Sequence, residues 1–211
     1  MCIRDRHKVD LDTFYISTYP ITKAQYRAFV EAKSSGHDYG TKTWNKIHHA
    51  KNEHPATCLS ADEAQAYCHW LSKKTGKKIT LPTESQWEKA ARGNDGRIYP
   101  WGNDADPKKM NCAESGLNQT SSVDSFPDGK SPYGCYDMVG NVWEWCFAND
   151  RVYSPGKKTN PTGSFGPLPW PCVLRGGHFS FSIQKCRAAI RNTTYFAYSS
   201  SSIGFRVICS R

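Results

Sequence analysis

Three stretches in the first half of the chain repeat apolar residues at the spacing of a helix face, and each follows a capping signal. Thr22, Ser60 and Thr83 are each followed three positions later by Gln or Glu. Such a pair can exchange hydrogen bonds with the free N–H groups that begin a helix. We therefore predict three helices, and Gly76 and Gly93 are suited to end the second and the third. Their apolar stripes are Tyr26, Phe29 and Val30; Ala64, Tyr67, Cys68 and Leu71; and Trp87, Ala90 and Ala91.

After residue 93 the pattern changes to dense Gly, Pro, Asn, Asp and Ser with short apolar runs. The runs at residues 142–147, 172–175 and 204–209 are predicted strands. Helices early in the chain, with loops and short strands late, indicate an α+β fold with much irregular structure. Because the late half has too few regular elements to stand alone, we expect a single domain over residues 9–211. Residues 1–8 fit nothing that follows and are expected to be a disordered or non-native leader.

The net charge of +9 lies entirely in the last part of the chain. Residues 1–150 hold 19 Lys and Arg against 19 Asp and Glu, whereas residues 151–211 hold nine basic residues and no acid. One interpretation is a nucleic-acid surface. The other is a set of structural arginines that bond loop carbonyls. The basic residues are scattered rather than clustered, so we favour the second interpretation and do not expect a nucleic-acid partner.

The cysteines and histidines do not form a recognisable metal or catalytic pattern. The nine cysteines contain no CxxC pair, and we expect mostly reduced, buried thiols, with a secreted disulfide framework as the alternative. The spacing of the histidines does not suit a non-haem iron site. No phosphate-binding glycine loop or Gly-x-Ser-x-Gly motif occurs. No apolar run is long enough to span a membrane, and no signal peptide is visible. The localisation stays open between phage-borne, cytoplasmic and surface-displayed.

Six segments along the chain carry specific motifs: FYISTYPITKAQYRAFVEA, LPTESQWEKAARG, YPWGN, YGCYDMVGNVWEW, LRGG and IGFRV. In this order they resemble the formylglycine-generating-enzyme (sulfatase-modifying factor) superfamily, from about residue 9 to residue 209. The resemblance implies an α+β fold of the C-type lectin-like kind. In the LRGG motif, paired glycines after a strand indicate a close backbone approach or a positive φ angle. Arg206 of IGFRV is expected to bond the carbonyls of a loop.

The resemblance also implies where copper-dependent oxidase chemistry would lie. Enzymes of the family use two cysteines, at the fourth and ninth positions after the Gly-Gly pair, and a thiolate pair suits Cu(I). Here these positions hold Phe181 and Cys186. One cysteine cannot supply the pair, so we expect no catalytic residues and interpret Cys186 as a buried structural thiol. A formylglycine-generating-type oxidase remains the alternative function.

The family often binds calcium near its GNxWEW motif. Residue by residue, the ligands fall on the side chains of Asp137 and Glu144 and on the carbonyls of Gly140 and Val142. Such hard oxygen ligands suit a structural Ca²⁺. The alternative is a turn held by Asp137, with Glu144 paired to an arginine. No cofactor is otherwise expected.

Residues 175–207 read RGGHFSFSIQKCRAAIRNTTYFAYSSSSIGFRV. They resemble the variable region of a branch of the superfamily that lacks the catalytic cysteines, the variable proteins of diversity-generating retroelements. These systems replace adenines, chiefly in asparagine codons, so that Ser, Thr, Ala, Ile, Phe, Tyr or His can appear. Gln184 and Lys185 are not reachable in this way and would be constant. The residues that match the constant frame are Arg175, Gly176, Gly177, Cys186, Arg187, Ala189, Arg191, Asn192, Ile203, Gly204, Phe205 and Arg206.

The resemblance therefore implies a non-enzymatic ligand-binding protein with a diversified surface, whose ligand is a protein or a glycan, for instance on a cell surface. Large rigid aromatics beside small hydroxyls are typical of antibody-like recognition surfaces. We expect exposure of Tyr195, Tyr198 and residues 199–202, and burial of Phe179. The predicted ligand-binding residues are His178, Ser180, Phe181, Ser182, Ile190, Thr193, Thr194, Tyr195, Phe196, Tyr198, Ser199, Ser200, Ser201 and Ser202.

Overall fold

A computed structural model describes residues 9–33, 51–147, 158–159 and 171–210. The predicted leader at residues 1–8 lies outside the described residues. The helices are α1 (Lys23–Lys33), α2 (Ala61–Thr75) and α3 (Glu84–Arg92). The strands are β1 (Val9–Asp10), β2 (Phe14–Ile16), β3 (Ile79–Thr80), β4 (Trp143–Cys146), β5 (Lys158–Thr159), β6 (Pro171–Arg175), β7 (Arg191–Tyr195), β8 (Ile203–Gly204) and β9 (Ile208–Ser210). Short 3-10 helices lie at Pro107–Lys109, Ala113–Ser115, Pro127–Gly129 and Ile183–Lys185.

The three predicted helices are confirmed, and each begins with the predicted capping box. At α1 the Thr22 N–H donates to Oε1 of Gln25, and the Gln25 N–H donates back to Oγ1 of Thr22. Ser60 with Glu63 and Thr83 with Gln86 form the same exchange at α2 and α3. Gly76 ends α2 in the left-handed conformation, at φ 70°. Local hydrogen bonding thus sets the start of each helix.

The strands form a four-stranded sheet in the order β7-β6-β4-β8, a three-stranded sheet in the order β2-β9-β3, and the pair β1-β5. The predicted strands at residues 142–147 and 172–175 correspond to β4 and β6. The single strand predicted at 204–209 is wrong, because the chain crosses from one sheet to the other there. Ile203 and Gly204 pair with β4, whereas residues 208–210 pair with β2 and β3.

Two apolar clusters fill the interior. One joins the inner faces of α1 and α2 to Trp143, Trp145 and Phe205. The other surrounds Trp87 of α3 and includes Cys146. Strand β4 contributes to both clusters, and all four of its residues are buried. Trp143 and Trp145 thus lie in one cluster and Cys146 lies in the other, and both faces of β4 are shielded from solvent.

The described cysteines are free thiols, and six of the eight are buried. This agrees with the prediction of reduced, buried thiols in the described part of the chain. Among the same residues, no helix is long and apolar enough to cross a bilayer.

Candidate functional site

The C-terminal segment leaves β6 through the paired glycines. Gly176 and Gly177 have φ angles of 97° and 79°, a region that glycine enters without strain. A Cβ on Gly177 would lie 2.7 Å from Sγ of Cys186. Both interpretations of the pair, positive φ and close approach, are therefore confirmed. The close approach holds the start of the segment against Cys186.

Cys186 is a fully buried thiol, as predicted. Its Sγ lies 3.8 Å from the carbonyl oxygen of His178 and 3.9 Å from that of Phe181. Burial raises its pKa to about 12. The side chain of Phe181 lies against Trp143 and His178, with ring centroids 5.7 Å and 4.2 Å away. Phe181 thus stands at the sequence position where the resemblance implies the first thiolate, and its ring packs against Trp143 of β4. The raised pKa of Cys186 keeps the remaining thiol protonated at neutral pH.

Two arginines of the frame attach the segment to α3. Arg175 is buried, and its Nη1 donates to the carbonyls of Ala189 and Ile190 at 3.1 and 3.0 Å. Its Nη2 forms an ion pair with Glu88. Arg191 donates from Nε to Glu84 at 2.9 Å. These contacts support the interpretation of the basic residues as structural arginines that satisfy loop carbonyls.

A third arginine lies deeper. Arg206 and Glu144 are both fully buried, and Nε of Arg206 bonds Oε2 of Glu144 at 2.6 Å. The same guanidinium donates to the carbonyls of Ser17 and Tyr136, at 3.1 and 2.7 Å. The prediction that Arg206 bonds loop carbonyls is confirmed. Its ion pair with Glu144 also connects β4 to the end of the chain.

The main chain of residues 196–202 is fixed by the scaffold. The N–H of Ala61, at the start of α2, donates to the carbonyl of Phe196 at 3.2 Å. The N–H of Cys58 donates to the Ser200 carbonyl at 2.9 Å, and that of Trp143 to the Ser202 carbonyl at 2.8 Å. Hydrogen bonds between main-chain groups do not depend on the identity of the side chains. The path of this segment is therefore compatible with many sequences.

The side chains of this segment point largely to solvent. Tyr195 is 73% exposed and Tyr198 is 50% exposed, which confirms the expectation for both. The expectation for residues 199–202 is only partly correct, because Ser200 and Ser202 are half-buried and bond each other through their hydroxyls at 3.0 Å. Of the predicted ligand-binding residues, the exposed ones are Ser180, Thr193, Tyr195, Tyr198, Ser199 and Ser201.

The remaining predicted ligand-binding residues are half-buried, namely His178, Phe181, Ser182, Ile190, Thr194, Phe196, Ser200 and Ser202. Among them, Ile190, Phe196 and Phe181 pack against the core. Burial lowers the pKa of His178, whose Nδ1 lies 3.2 Å from the hydroxyl of Ser180. Phe179 is half-buried rather than buried, contrary to the expectation. The role of the fourteen predicted residues in ligand binding stays a prediction. The six exposed residues are the more accessible to a ligand.

The predicted calcium ligands lie around a buried polar network. Asn141 donates from Nδ2 to Asp137 at 2.8 Å, and burial raises the pKa of Asp137 to about 7. A Cβ on Gly140 would lie 2.3 Å from the carbonyl oxygen of Asn111, so glycine is required there. Glu144 already accepts hydrogen bonds from Arg206 and from Nε1 of Trp87. A cation on Glu144 would lie beside a guanidinium, so these residues fit Ca²⁺ poorly. The calcium site, including the Val142 carbonyl, stays a prediction.

The alternative that pairs Glu144 with an arginine is confirmed by Arg206, but sequence reasoning missed the acidic partners of Arg175 and Arg191. Glu84 and Glu88 lie one helical turn apart in α3, and they face a segment about a hundred residues further along the chain. An i,i+4 pair of acids at the start of an amphipathic helix is a usable signal only when a basic partner segment is already suspected.

The family described as Sulfatase-modifying factor enzyme 1-like domain matches residues 3–211. The Bacillus subtilis (strain 168) protein YfmG is 32% identical over 211 residues, which cover 82% of this chain and 42% of YfmG. The Bos taurus formylglycine-generating enzyme is 28% identical over 257 residues, which cover 94% of this chain and 66% of the enzyme. The chain thus spans less than two thirds of either relative.

Among solved structures, Treponema denticola variable protein 1 matches with a TM-score of 0.80 at 20% sequence identity. The match covers 97% of this chain and 87% of that protein. At this identity the likeness shows a common fold and leaves the function of the chain to other arguments.

Proposed function

This chain belongs to the family of Sulfatase-modifying factor enzyme 1-like domains, and we propose that within it the chain is a non-enzymatic ligand-binding protein. Its binding surface is the outward side of residues 178–202, and its ligand is a protein or a glycan. The surface is of the diversified kind, with a constant frame and exchangeable residues between the frame positions.

One observation carries this proposal: the segment is held through its main chain while its side chains face solvent. The carbonyls of Phe196, Ser200 and Ser202 accept hydrogen bonds from the scaffold. Beside these attachment points, Tyr195 and Tyr198 present large rigid surfaces that lose little rotamer freedom on binding. Exchanging the outward side chains therefore changes what is bound without changing how the segment is held.

The frame residues also support the proposal, because their side chains make the contacts that the outward residues do not make. Arg175, Arg191 and Cys186 are frame positions whose side chains contact the scaffold, the two arginines through ion pairs with α3 and Cys186 within the cluster around Trp87. Those positions cannot be exchanged without losing a buried contact, whereas the outward positions can. Separating the two kinds of position along one segment is what a diversified binding surface requires.

Sequencing the DNA that flanks the gene tests the proposal. We expect a near-copy of the codons for residues 175–207 that differs from them only at adenines, together with a reverse transcriptase gene. The differing codons should fall on outward positions such as Thr193, Tyr195 and Tyr198 and spare Arg175 and Cys186. A locus with neither feature overturns the diversified surface.

The second candidate is a formylglycine-generating-type oxidase, which the 28% identity to the bovine enzyme over 94% of this chain favours. Against it stands Phe181, which holds the sequence position where the resemblance implies the first cysteine. Incubating the protein with Cu(I), oxygen and a sulfatase-derived cysteine peptide decides between the two. We expect no aldehyde product, and turnover that depends on Cys186 would instead establish the oxidase.

A further inference from the structure

Strand β7 is an outer strand of the four-stranded sheet. Strand β6 lies on one side of it, and among the described residues no strand lies on the other. An outer strand presents a row of N–H and C=O groups that can pair with another chain. Which groups face outward follows from how β7 pairs with β6.

The N–H of Thr193 identifies the outward groups. It donates to Oδ1 of the neighbouring Asn192 at 2.9 Å and so takes no part in the ladder with β6. In an antiparallel ladder, hydrogen-bonded and non-hydrogen-bonded pairs alternate. The pair Val173–Thr193 is therefore non-hydrogen-bonded, and so are the pairs two positions away on either side. One of these joins Tyr195 to Pro171, which has no N–H to donate. The main-chain groups of Arg191, Thr193 and Tyr195 consequently face away from β6, toward the side of β7 that no described strand covers.

This edge is complementary to itself. A second copy laid antiparallel, with the twofold axis at Thr193, sets Thr193 against the partner's Thr193. The same axis sets Arg191 against the partner's Tyr195, so like charges do not meet. A cross-strand Thr–Thr pair is favourable, and two hydrogen bonds form at the axis itself.

The side chain of Asn192 occupies the group on which this pairing depends. Its Oδ1 accepts the Thr193 N–H, the central donor of the edge. The Tyr195 carbonyl is also taken, because it accepts the N–H of Tyr198 at 3.0 Å. A second strand can add only after the Asn192 contact has been broken.

From these contacts we infer that the outer edge of β7 is an interaction surface that fits a second copy of this chain, and that the exposed side chain of Asn192 keeps it closed. The inference goes beyond the proposed ligand binding and does not need the ligand. Within the proposed function it has a consequence: exchanging the side chains at 193 and 195 leaves the main chain unchanged. Each variant of the surface carries the same edge, and a constant Asn192 keeps the variants from pairing with themselves.

Sedimentation equilibrium of the full chain tests the inference with four proteins. The wild type should remain monomeric. N192A should self-associate with an association constant about a hundredfold larger, because the substitution releases one main-chain donor in each of the two copies and each release contributes about tenfold. N192D should behave as the wild type, because a carboxylate oxygen still accepts the Thr193 N–H. N192A/T193P should be monomeric like the wild type, because proline removes that N–H without removing a bond to β6.

A second blocking variant guards against misfolding caused by proline. In N192A/T193K, like charges meet directly at the twofold axis, which disfavours pairing. Circular dichroism of each variant establishes that it is folded. If N192A sediments like the wild type, or if both blocking variants associate as strongly as N192A, the inference is wrong. Either result leaves the proposed ligand binding intact, since that proposal is decided by the flanking DNA.

Discussion

Replacing Arg206 by Met removes the positive charge that neutralises Glu144 in the core. Both side chains are fully buried, and the guanidinium contacts both carboxylate oxygens, at 2.6 and 2.8 Å. After the substitution the carboxylate retains the indole N–H of Trp87 as its side-chain donor among the described residues, at 2.6 Å. A methionine fills much of the vacated volume, so the change acts chiefly through charge and hydrogen bonds.

The expected loss is large compared with the stability of a domain of this kind. Removing one partner of a buried ion pair costs about 3–5 kcal/mol. The two carbonyls that Arg206 satisfies, of Ser17 and Tyr136, lose their donor as well. We therefore expect R206M to reduce the free energy of unfolding by about 4–5 kcal/mol, out of a typical ~5–15 kcal/mol. E144Q/R206M removes both charges and keeps an acceptor for Trp87, so it should lose about 2–3 kcal/mol less than the two single losses combined.

Urea unfolding, followed by circular dichroism and tryptophan fluorescence, measures these differences if the dependence on urea concentration is unchanged. A loss below about 1 kcal/mol for R206M, or strictly additive single and double losses, would refute the reasoning, because removing the partner of a buried charge is expected to cost several kcal/mol.

The same urea titration tests the predicted calcium site. A cation bound at Asp137 and Glu144 raises the wild-type midpoint relative to a chelator by mass action, and E144Q removes that shift. A midpoint that does not respond to calcium eliminates the predicted site.

Three further predictions concern the surface, the arginine contacts and the thiol. Y195A and Y198A should change the free energy of unfolding by less than about 0.5 kcal/mol in the urea assay, because both side chains are largely exposed, whereas Y67A in the core should be strongly destabilising in the same assay. Burial alone would raise the pKa of Glu88, but Arg175 and Arg92 lower it below the usual value. The stability that wild type has over E88Q should therefore be present at neutral pH and disappear as the pH falls through the folded pKa of Glu88, which acid titration of both proteins measures. Cys186 should resist iodoacetamide at neutral pH in the folded protein, since its pKa is raised to about 12 and its Sγ is buried, and peptide mass spectrometry should find it labelled only after unfolding; labelling of native Cys186 ahead of the half-buried Cys209 would contradict this.

The helices were predictable because their signals are local. A capping box joins residues three positions apart, and a stripe of Tyr67, Cys68 and Leu71 lies on one face of one helix. No distant partner is needed to recognise either signal. The same holds for the glycine pair at 176 and 177, because the residue type itself indicates the positive φ angles that the structure shows.

The short strands and the ion pairs were not predictable in this way. Strands β1, β3, β5 and β8 contain two residues each, and they are strands only because distant segments lie beside them. Arg175 and Glu88 are 87 positions apart, and Arg191 and Glu84 are 107 apart. The burial of Cys186 was predicted from the sequence, but the packing of the Phe181 ring against Trp143 was not.

The uneven charge of the chain follows from how the segment is held. Its last part has no acid of its own, so the acidic partners of its buried arginines must come from elsewhere. Glu84 and Glu88 of α3, together with Glu144 of β4, supply them. An ion pair between the segment and a separate element holds the segment whatever residues lie between the arginines. A surface whose outward residues are exchanged needs attachment of this kind, because contacts made by the exchanged side chains would be lost with each new variant. In the proposed function, the frame arginines hold the segment and the exposed tyrosines contact the ligand. The stability of the segment then comes from residues that do not contact the ligand.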